Sequence, residues 1–133
     1  MKMLVGVDIQ PISEVEASLR TFGVRYGRLL FTEHELECCG ENPATASSGL
    51  AARFAAKEAI LKILDTRETV PAWRSIEVRR TASGRPEIKL HDEAATLAEH
   101  QGIREIAVSL SHGGGIATAT VVAPVANIQE PIS

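Results

Sequence analysis

The feature that most constrains the fold is the stretch Leu50–Leu64, which predicts a single uninterrupted helix. It contains neither glycine nor proline, and most of its residues favour helices. Either Ser47 or Ser48 can cap its first turn, and the small, polar residues 40–49 predict a loop before it. Around a helical wheel, four large apolar side chains share the arc that should face the core: Leu50, Phe54, Leu61 and Leu64.

Glu58 lies at the edge of that apolar arc, about 40° from Phe54. Lys62 follows one turn later and therefore lies on the same face of the helix. A carboxylate beside a core is costly to desolvate unless a cation or another partner takes up its charge. An i,i+4 salt bridge would supply such a partner, and so would a functional site. Lys57 falls inside the arc and is expected to extend its ammonium group to solvent.

The overall composition is that of an ordinary globular domain. A length of 133 residues suits one domain, and 44% hydrophobic with 23% charged residues allows a normal core. A formal net charge of −3 disfavours a nucleic-acid-binding protein, and no apolar run is long enough to span a membrane. The first residues do not resemble a signal peptide, and Cys38 and Cys39 have the spacing of neither a disulfide framework nor a zinc site. We therefore expect a cytoplasmic protein.

Patterns along the rest of the chain predict an α+β fold, with a small, largely antiparallel sheet packed against the long central helix. Thr32 and Glu35 have the spacing of a capping box, which predicts a short helix, whereas residues 23–27 predict a break. The other predicted elements are strands 3–9, 75–79, 87–90, 106–110 and 116–123, helices from 13 and over 92–99, and a glycine-rich turn at 111–115. Residues 1–123 are predicted to form one domain, followed by a loose tail at 124–133.

Three separate segments carry the side chains that suit chemistry. Asp8 ends the first strand, Glu58 and Lys62 share a face of the long helix, and Ser111 and His112 precede three glycines. Two carboxylates with waters and phosphate oxygens are the usual surroundings of Mg²⁺, and glycine-rich turns can present backbone N–H groups to an anion. Each feature also has a purely structural interpretation, with Asp8 as a strand-end cap and the glycines as a flexible hairpin turn.

Arg53 lies about 140° around the helix from Glu58, so the two side chains cannot easily serve one site within one chain. Arg53 could instead complete the site of a neighbouring subunit if the helix lines an interface. Ile63 is compatible with that arrangement, because it places an apolar side chain opposite Phe54. The alternative is an arginine that extends along the protein surface to solvent.

Taken together, these segments resemble the holo-acyl-carrier-protein synthase family of 4′-phosphopantetheinyl transferases over nearly the whole chain. The matching pieces, in chain order, are Gly6–Ile9, Leu30–Leu36, Arg53–Ala59 with Lys62, Ser75–Val78, Gly84–Pro86 and Val108–His112. The specific part of the pattern is the central Ala-Ala-Lys-Glu-Ala with its trailing lysine, between an early Asp-Ile and a late Ser-His.

The resemblance implies a Mg²⁺-dependent enzyme that transfers the 4′-phosphopantetheine arm of coenzyme A to a serine of an apo acyl carrier protein. This reaction releases adenosine 3′,5′-bisphosphate and belongs to fatty acid or polyketide-type biosynthesis. By position in the family pattern, Asp8 and Glu58 would bind the metal, and Lys62 would contact the phosphate and assist the leaving group. Either Glu58 or a water on the metal would take the serine proton. The other implied substrate-binding residues are Arg53, Gly84, Arg85, Pro86, Ser111 and His112.

The resemblance further implies a homotrimer with its sites at subunit interfaces, and it exposes a departure from the family. Family members usually carry basic residues on the first helix, where this chain has Glu14 and Glu16. Only Arg20, Arg25 and Arg28 follow. Because complementary charge governs partner choice, we expect a less acidic or dedicated carrier, or docking through these arginines.

Two interpretations compete with the enzyme. One is a non-catalytic relative that binds coenzyme A or a carrier protein, and the other is a small nucleotide hydrolase with the same metal site. The presence of Asp8, Glu58, Lys62 and His112 together favours the transferase, because a non-catalytic relative has no need of all four.

Overall fold

The computed structural model describes residues 1–40 and 42–126. This part of the chain forms five α-helices and five strands. In chain order they are β1 Lys2–Pro11, α1 Ile12–Phe22, α2 Val24–Leu30, α3 Glu33–Cys39, α4 Pro43–Ile63, β2 Ile76–Arg80, β3 Pro86–Leu90, α5 Asp92–Gln101, β4 Ala107–Gly113 and β5 Ile116–Val125. A short 3-10 helix, Trp73–Ser75, precedes β2.

The strands form two antiparallel sheets, which confirms the predicted α+β class. One sheet has three strands in the order β1-β5-β4, and the other is the β2-β3 hairpin. In the three-stranded sheet, Ala119 of the central strand β5 pairs with Asp8 of β1 on one side and with Leu110 of β4 on the other. The strands β1 and β4 are therefore the two edges of this sheet.

Helix α4 begins seven residues before the predicted start, so the loop prediction is wrong for residues 43–49. The Asn42 side chain accepts a hydrogen bond from the Ala44 amide (3.0 Å), and Pro43 occupies the first turn, where its missing N–H costs nothing. Ser47 lies inside the helix and donates to the Pro43 carbonyl, so it is not a cap. Gly49 is inside the helix, and close packing explains a glycine at this position: a Cβ there would come within 2.9 Å of the Cys39 sulfur.

The predicted apolar arc of α4 accounts for only part of its burial. Leu50 and Leu64 are buried, but Phe54 and Leu61 are only half-buried. The helix packs against both sheets, α1 and α3, so small residues become buried on its other sides. These additional buried apolar residues are Ala46, Ala51, Ala52, Ala55, Ala56, Ala59, Ile60 and Ile63.

Other differences from the predicted elements are local. Residues 24–30 form α2 instead of a break, with Gly27 packed against Leu36. Ser111 and His112 belong to β4, and the turn itself is limited to Gly114 and Gly115. The capping box of Thr32 and Glu35 is confirmed.

The predicted tail is described only in its first residues. Strand β5 continues to Val125, two residues beyond the predicted strand end. Val125 also pairs with Ile103. Residues 127–133 lie outside the described part of the chain. Across residues 1–40 and 42–126, every helix is too short or too polar to span a bilayer.

Candidate active site

Strand β1 meets helix α4 at Gly6, and this close approach brings Asp8 to the helix. A Cβ on Gly6 would lie 2.2 Å from the Ala59 carbonyl oxygen, so only glycine allows the backbones to come so near. Because side chains alternate along a strand, Asp8 points to the same side as Gly6. The strand and the helix thereby place Asp8 beside Glu58 and Lys62.

Lys62 is the direct link between the strand and the helix. Its ammonium group donates to the Val7 carbonyl (2.6 Å) and forms an ion pair with Asp8 (3.1 Å). The i,i+4 salt bridge to Glu58 that the sequence suggested is not among the ion pairs of the described residues. The side chains of Asp8 and Lys62 are 18% and 52% exposed, so the pair is open to a ligand from solvent.

Glu58 lies half-buried next to this pair. Partial burial raises the pKa of Glu58, the Asp8 carboxylate raises it further, and Lys62 partly offsets both effects. The two carboxylates therefore repel each other in the protein alone, and a cation between them would relieve that repulsion. We call Asp8, Glu58 and Lys62 the acidic half-site.

The acidic half-site has the donor set of a magnesium site that is shared with a phosphate. The described residues contain no group of three or more His, Cys, Asp or Glu side chains placed to hold a metal. Mg²⁺ does not need such a cage, because it commonly uses one or two carboxylates, waters and substrate phosphate oxygens. Asp8 and Glu58, accessible and mutually repelling, fit that arrangement.

A second set of predicted residues lies at the opposite edge of the three-stranded sheet. A groove of about 520 Å³ runs between the β2-β3 hairpin and β4. Its lining includes Arg80, Arg85, Pro86 and Ser109, and we call these four residues the hairpin groove. Gly84 is at the hairpin turn with φ +85°, and its carbonyl accepts a hydrogen bond from Arg80 (3.0 Å).

Ser111 and His112 are on β4, far from Asp8 on β1, and their side chains do not share one environment. They are neighbours on a strand, so their side chains point to opposite faces of the sheet. His112 lies opposite the buried Ala117, on the face that carries Asp8, but two strands away and two residues farther along. Ideal strand spacings put the Cα atoms of Asp8 and His112 roughly 12 Å apart. One chain therefore does not bring the acidic half-site and His112 into contact.

Arg53 is buried within its own subunit, contrary to the interpretation of an arginine extending along the surface. It is 3% exposed, and its guanidinium donates to the Gly49 carbonyl (3.2 Å). Its Nε is buried without a hydrogen-bond partner among the described residues. It also lies near Cys39, whose pKa is raised by burial and partly lowered again by the charge of Arg53.

Sequence reasoning missed two contributors to these sites, Gly6 and Arg80, and it misplaced Lys57. Gly6 has a recognisable pattern, because an isolated glycine inside an apolar strand often marks a close backbone approach. Arg80 of the hairpin groove has no such pattern. Lys57 was expected to reach solvent, but it is fully buried and forms an ion pair with the equally buried Glu35 at 2.8 Å.

Comparison with known proteins defines the class. The family model of the 4′-phosphopantetheinyl transferase superfamily matches residues 4–120, and the chain belongs to that superfamily. Among curated relatives, holo-[acyl-carrier-protein] synthase of Geobacter sulfurreducens is 42% identical over 119 residues, covering 88% of this chain and 93% of the relative. The synthase of Moorella thermoacetica is also 42% identical, over 120 residues that cover 88% and 90% of the two chains.

Solved structures agree with this assignment at the level of the fold. The coenzyme A complex of ACPS from Chronobacterium ammoniagenes is 30% identical and superposes with a TM-score of 0.80, covering 94% of this chain and 98% of that one. Holo-[acyl-carrier-protein] synthase of Helicobacter pylori, in complex with coenzyme A, is 25% identical with a TM-score of 0.75, covering 91% and 100%.

Proposed function

We propose that this protein transfers the 4′-phosphopantetheine group of coenzyme A to a serine hydroxyl of an apo acyl carrier protein. The observation that carries the proposal is the acidic half-site, in which β1 and α4 bring Asp8, Glu58 and Lys62 together at an accessible edge. Curated relatives at 42% identity are holo-[acyl-carrier-protein] synthases, and solved relatives bind coenzyme A.

The reaction exchanges one phosphorus–oxygen bond for another. The serine oxygen bonds to the phosphorus that carries the pantetheine, and the bond from that phosphorus to the bridging oxygen breaks. The bridging oxygen leaves with adenosine 3′,5′-bisphosphate. Lys62 donates to the departing phosphate, and either Glu58 or a water at the metal site takes the serine proton.

Mg²⁺ is part of the proposal, with Asp8 and Glu58 as its protein ligands. When bound, it would offset the negative charge of the diphosphate as the new bond forms. The protein's own contribution is to hold the two carboxylates on one side and the Lys62 ammonium beside them. A cytoplasmic location belongs to the same proposal, supported by the two free cysteines Cys38 and Cys39.

A homotrimer with its sites between subunits explains why one chain carries two separated half-sites. The acidic half-site is at the β1 edge of the sheet, and the hairpin groove and His112 are at the β4 edge. A head-to-tail ring brings the β4 edge of one subunit to the β1 edge of the next, and a heterologous contact of this kind closes into a ring. In that arrangement Arg85, Pro86 and His112 would bind the nucleotide end of coenzyme A, whereas the side chain of Ser111 points to the other face of the sheet.

The outer face of the three-stranded sheet supports the trimer. Alternate residues of β1 point away from α4 and expose apolar side chains. They are Met3, Val5, Val7 and Ile9, with exposed fractions of 52%, 60%, 48% and 60%. We call these four residues the outer β1 face. A contiguous apolar surface of this kind commonly marks a protein–protein contact.

The carrier would dock through α2 rather than through the arginine of α1. Arg20 is already paired with Glu16 on α1 (3.1 Å), so its charge is offset. Arg25 and Arg28 are exposed on α2 and form no ion pair with the described residues. Two unpaired cations would attract an acidic carrier, though less strongly than a fully basic helix.

The decisive experiment measures the intact mass of an apo carrier protein after incubation with this protein, coenzyme A and Mg²⁺. We expect the carrier to gain one phosphopantetheine group, and EDTA or Glu58→Gln to abolish the gain. Glu58→Gln is the matched control, because it keeps the shape of the side chain and removes its charge. If no carrier is modified but coenzyme A binds tightly, the protein is a binding relative. If coenzyme A is cleaved without a carrier, it is a hydrolase.

Carrier docking is tested with the same assay and a double charge reversal, Arg25→Glu with Arg28→Glu. We expect the KM for an acidic carrier to rise roughly tenfold with kcat unchanged, because charges at the rim of a contact change encounter more than chemistry. Arg104→Glu is the matched control, since Arg104 is an exposed arginine outside α2. Equal KM values for the two variants would remove α2 from the docking surface.

A further inference from the structure

The buried ion pair of Lys57 and Glu35 connects three elements and is not used by the proposed chemistry. The Lys57 ammonium bonds Glu35 on α3 (2.8 Å) and the backbone carbonyls of Trp73 (3.1 Å) and Ile76. Glu35 in turn accepts from the backbone amides of Thr32 (2.9 Å) and Val78 (3.0 Å). Helix α4 is thus fixed to α3 and to the start of β2 at one point.

The opposite side of α4 is fixed at the same helical turn. There the Ala59 carbonyl lies against Gly6 of β1, at a distance that excludes a Cβ. Lys57 and Ala59 are about 160° apart around the helix, so the two contacts hold α4 from nearly opposite sides. Glu58 lies between them in the sequence and faces Asp8.

This arrangement controls where the Glu58 carboxylate lies. The carboxylate is roughly 6 Å from the helix axis, so a rotation of α4 by about 20° would move it by about 2 Å. Ligand distances of Mg²⁺ tolerate much smaller errors, because the ion demands near-ideal geometry. A contact that prevents this rotation therefore acts on the metal site without touching it.

We propose that the buried Lys57–Glu35 pair is a positioning device that holds the rotation of α4 and so aims Glu58 at Asp8. This inference rests on the proposed function, because it takes Asp8 and Glu58 as the metal ligands. It makes Lys57 and Glu35 positioning residues, since neither reaches the acidic half-site. Buried charged pairs often contribute little net stability, which makes a role in specifying geometry a natural one to test.

The test compares Lys57→Met with the double variant Glu35→Gln plus Lys57→Met. The single variant leaves the Glu35 charge buried without its cation, so we expect a clear loss of melting temperature. The double variant removes that charge and should recover part of the loss. Both variants lack the contact that holds α4, so both should bind Mn²⁺ roughly tenfold more weakly, an effect comparable to the loss of a residue that orients a metal ligand directly.

Metal binding is measured directly, by electron paramagnetic resonance of Mn²⁺ titrated into the protein with saturating coenzyme A. The control is Ile103→Ala, which removes a buried apolar side chain of the same core away from the site. It should lower the melting temperature without changing Mn²⁺ affinity. A double variant that binds Mn²⁺ as tightly as the wild type overturns the inference alone. If Glu58→Gln binds Mn²⁺ as tightly as the wild type, both the metal role of Glu58 and the inference are overturned.

Discussion

At the scale of single residues, Gly6 decides how closely the strand of Asp8 approaches the helix of Glu58. Gly6→Ala would put a methyl group 2.2 Å from the Ala59 carbonyl, so β1 and α4 must separate. We expect a loss of unfolding free energy of about 1–3 kcal/mol, typical of overpacking, together with a loss of transferase activity. Urea unfolding and the mass assay measure the two effects.

Gly113→Ala is the control for this change, because a Cβ at that position meets nothing within 4 Å. It should be nearly neutral for stability. If the two glycine variants unfold at the same urea concentration, the close contact of β1 with α4 is not a constraint on the fold.

Glu77 makes the stability of the protein depend on pH in the acid range. Burial raises its pKa, but hydrogen bonds from Thr32, His91 and Arg79, with the charge of Arg79, outweigh that and lower the pKa to about 2. The unfolded value is about 4.3, so the bonds of the ionised form contribute stability above that pH. This contribution, on the order of 3 kcal/mol, is lost as the pH falls from about 4.3 towards 2.

Glu77→Gln should therefore lower stability at pH 7 and flatten its dependence on acid pH. We expect the urea midpoints of wild type and variant to differ at pH 7 and to approach each other as the pH falls towards 2. The measurement is a series of urea unfolding curves between these limits. Curves that stay parallel at every pH would contradict the lowered pKa of Glu77.

At the scale of elements, the start of α4 depends on Asn42. Asn42→Ala removes the side chain that accepts from the Ala44 amide, and helix caps of this kind contribute about 1 kcal/mol. Asn42→Asp retains an acceptor and should remain close to wild type. Urea unfolding also tests Ser48, one of the two caps that the sequence suggested. If Asn42 is the cap, Ser48→Ala should leave the stability unchanged. A loss of about 1 kcal/mol in Ser48→Ala would place the helix start at Ser48 instead.

At the scale of the whole molecule, the outer β1 face should hold the trimer together. Val5→Lys places a charge in the middle of this apolar face, so we expect dissociation to monomers and loss of activity. Leu29→Lys is the matched control, because Leu29 is equally apolar and 68% exposed but lies on α2. Sedimentation velocity measures the mass of each variant. A Val5→Lys protein of unchanged mass would argue against an interface on this face.

Sites between subunits also predict complementation. Glu58→Gln disables the acidic half-site, and Arg85→Glu disables the hairpin groove, so each variant alone should be inactive. Mixed trimers pair an intact acidic half-site of one chain with an intact groove of the other, in about one site in four under random mixing. Activity that returns on refolding the two together supports the shared site. Continued inactivity would place the whole site within one chain.

The sequence alone determined much of the local structure and the chemistry. The capping box of Thr32, the strand that carries Asp8 and the helical face of Glu58 and Lys62 all follow from near neighbours in the chain. The α+β class follows from the order of these elements, and the family follows from the spacing of its motifs.

Only the tertiary structure decided which side chains meet. Lys62 pairs with Asp8 rather than with Glu58, and Lys57 is buried against Glu35, because strand β1 and helix α3, from distant parts of the chain, pack against different sides of α4. Helical periodicity cannot reveal such partners, since it describes one helix without the elements around it. The same limit applies to the two half-sites, whose separation at opposite sheet edges comes from the strand order β1-β5-β4.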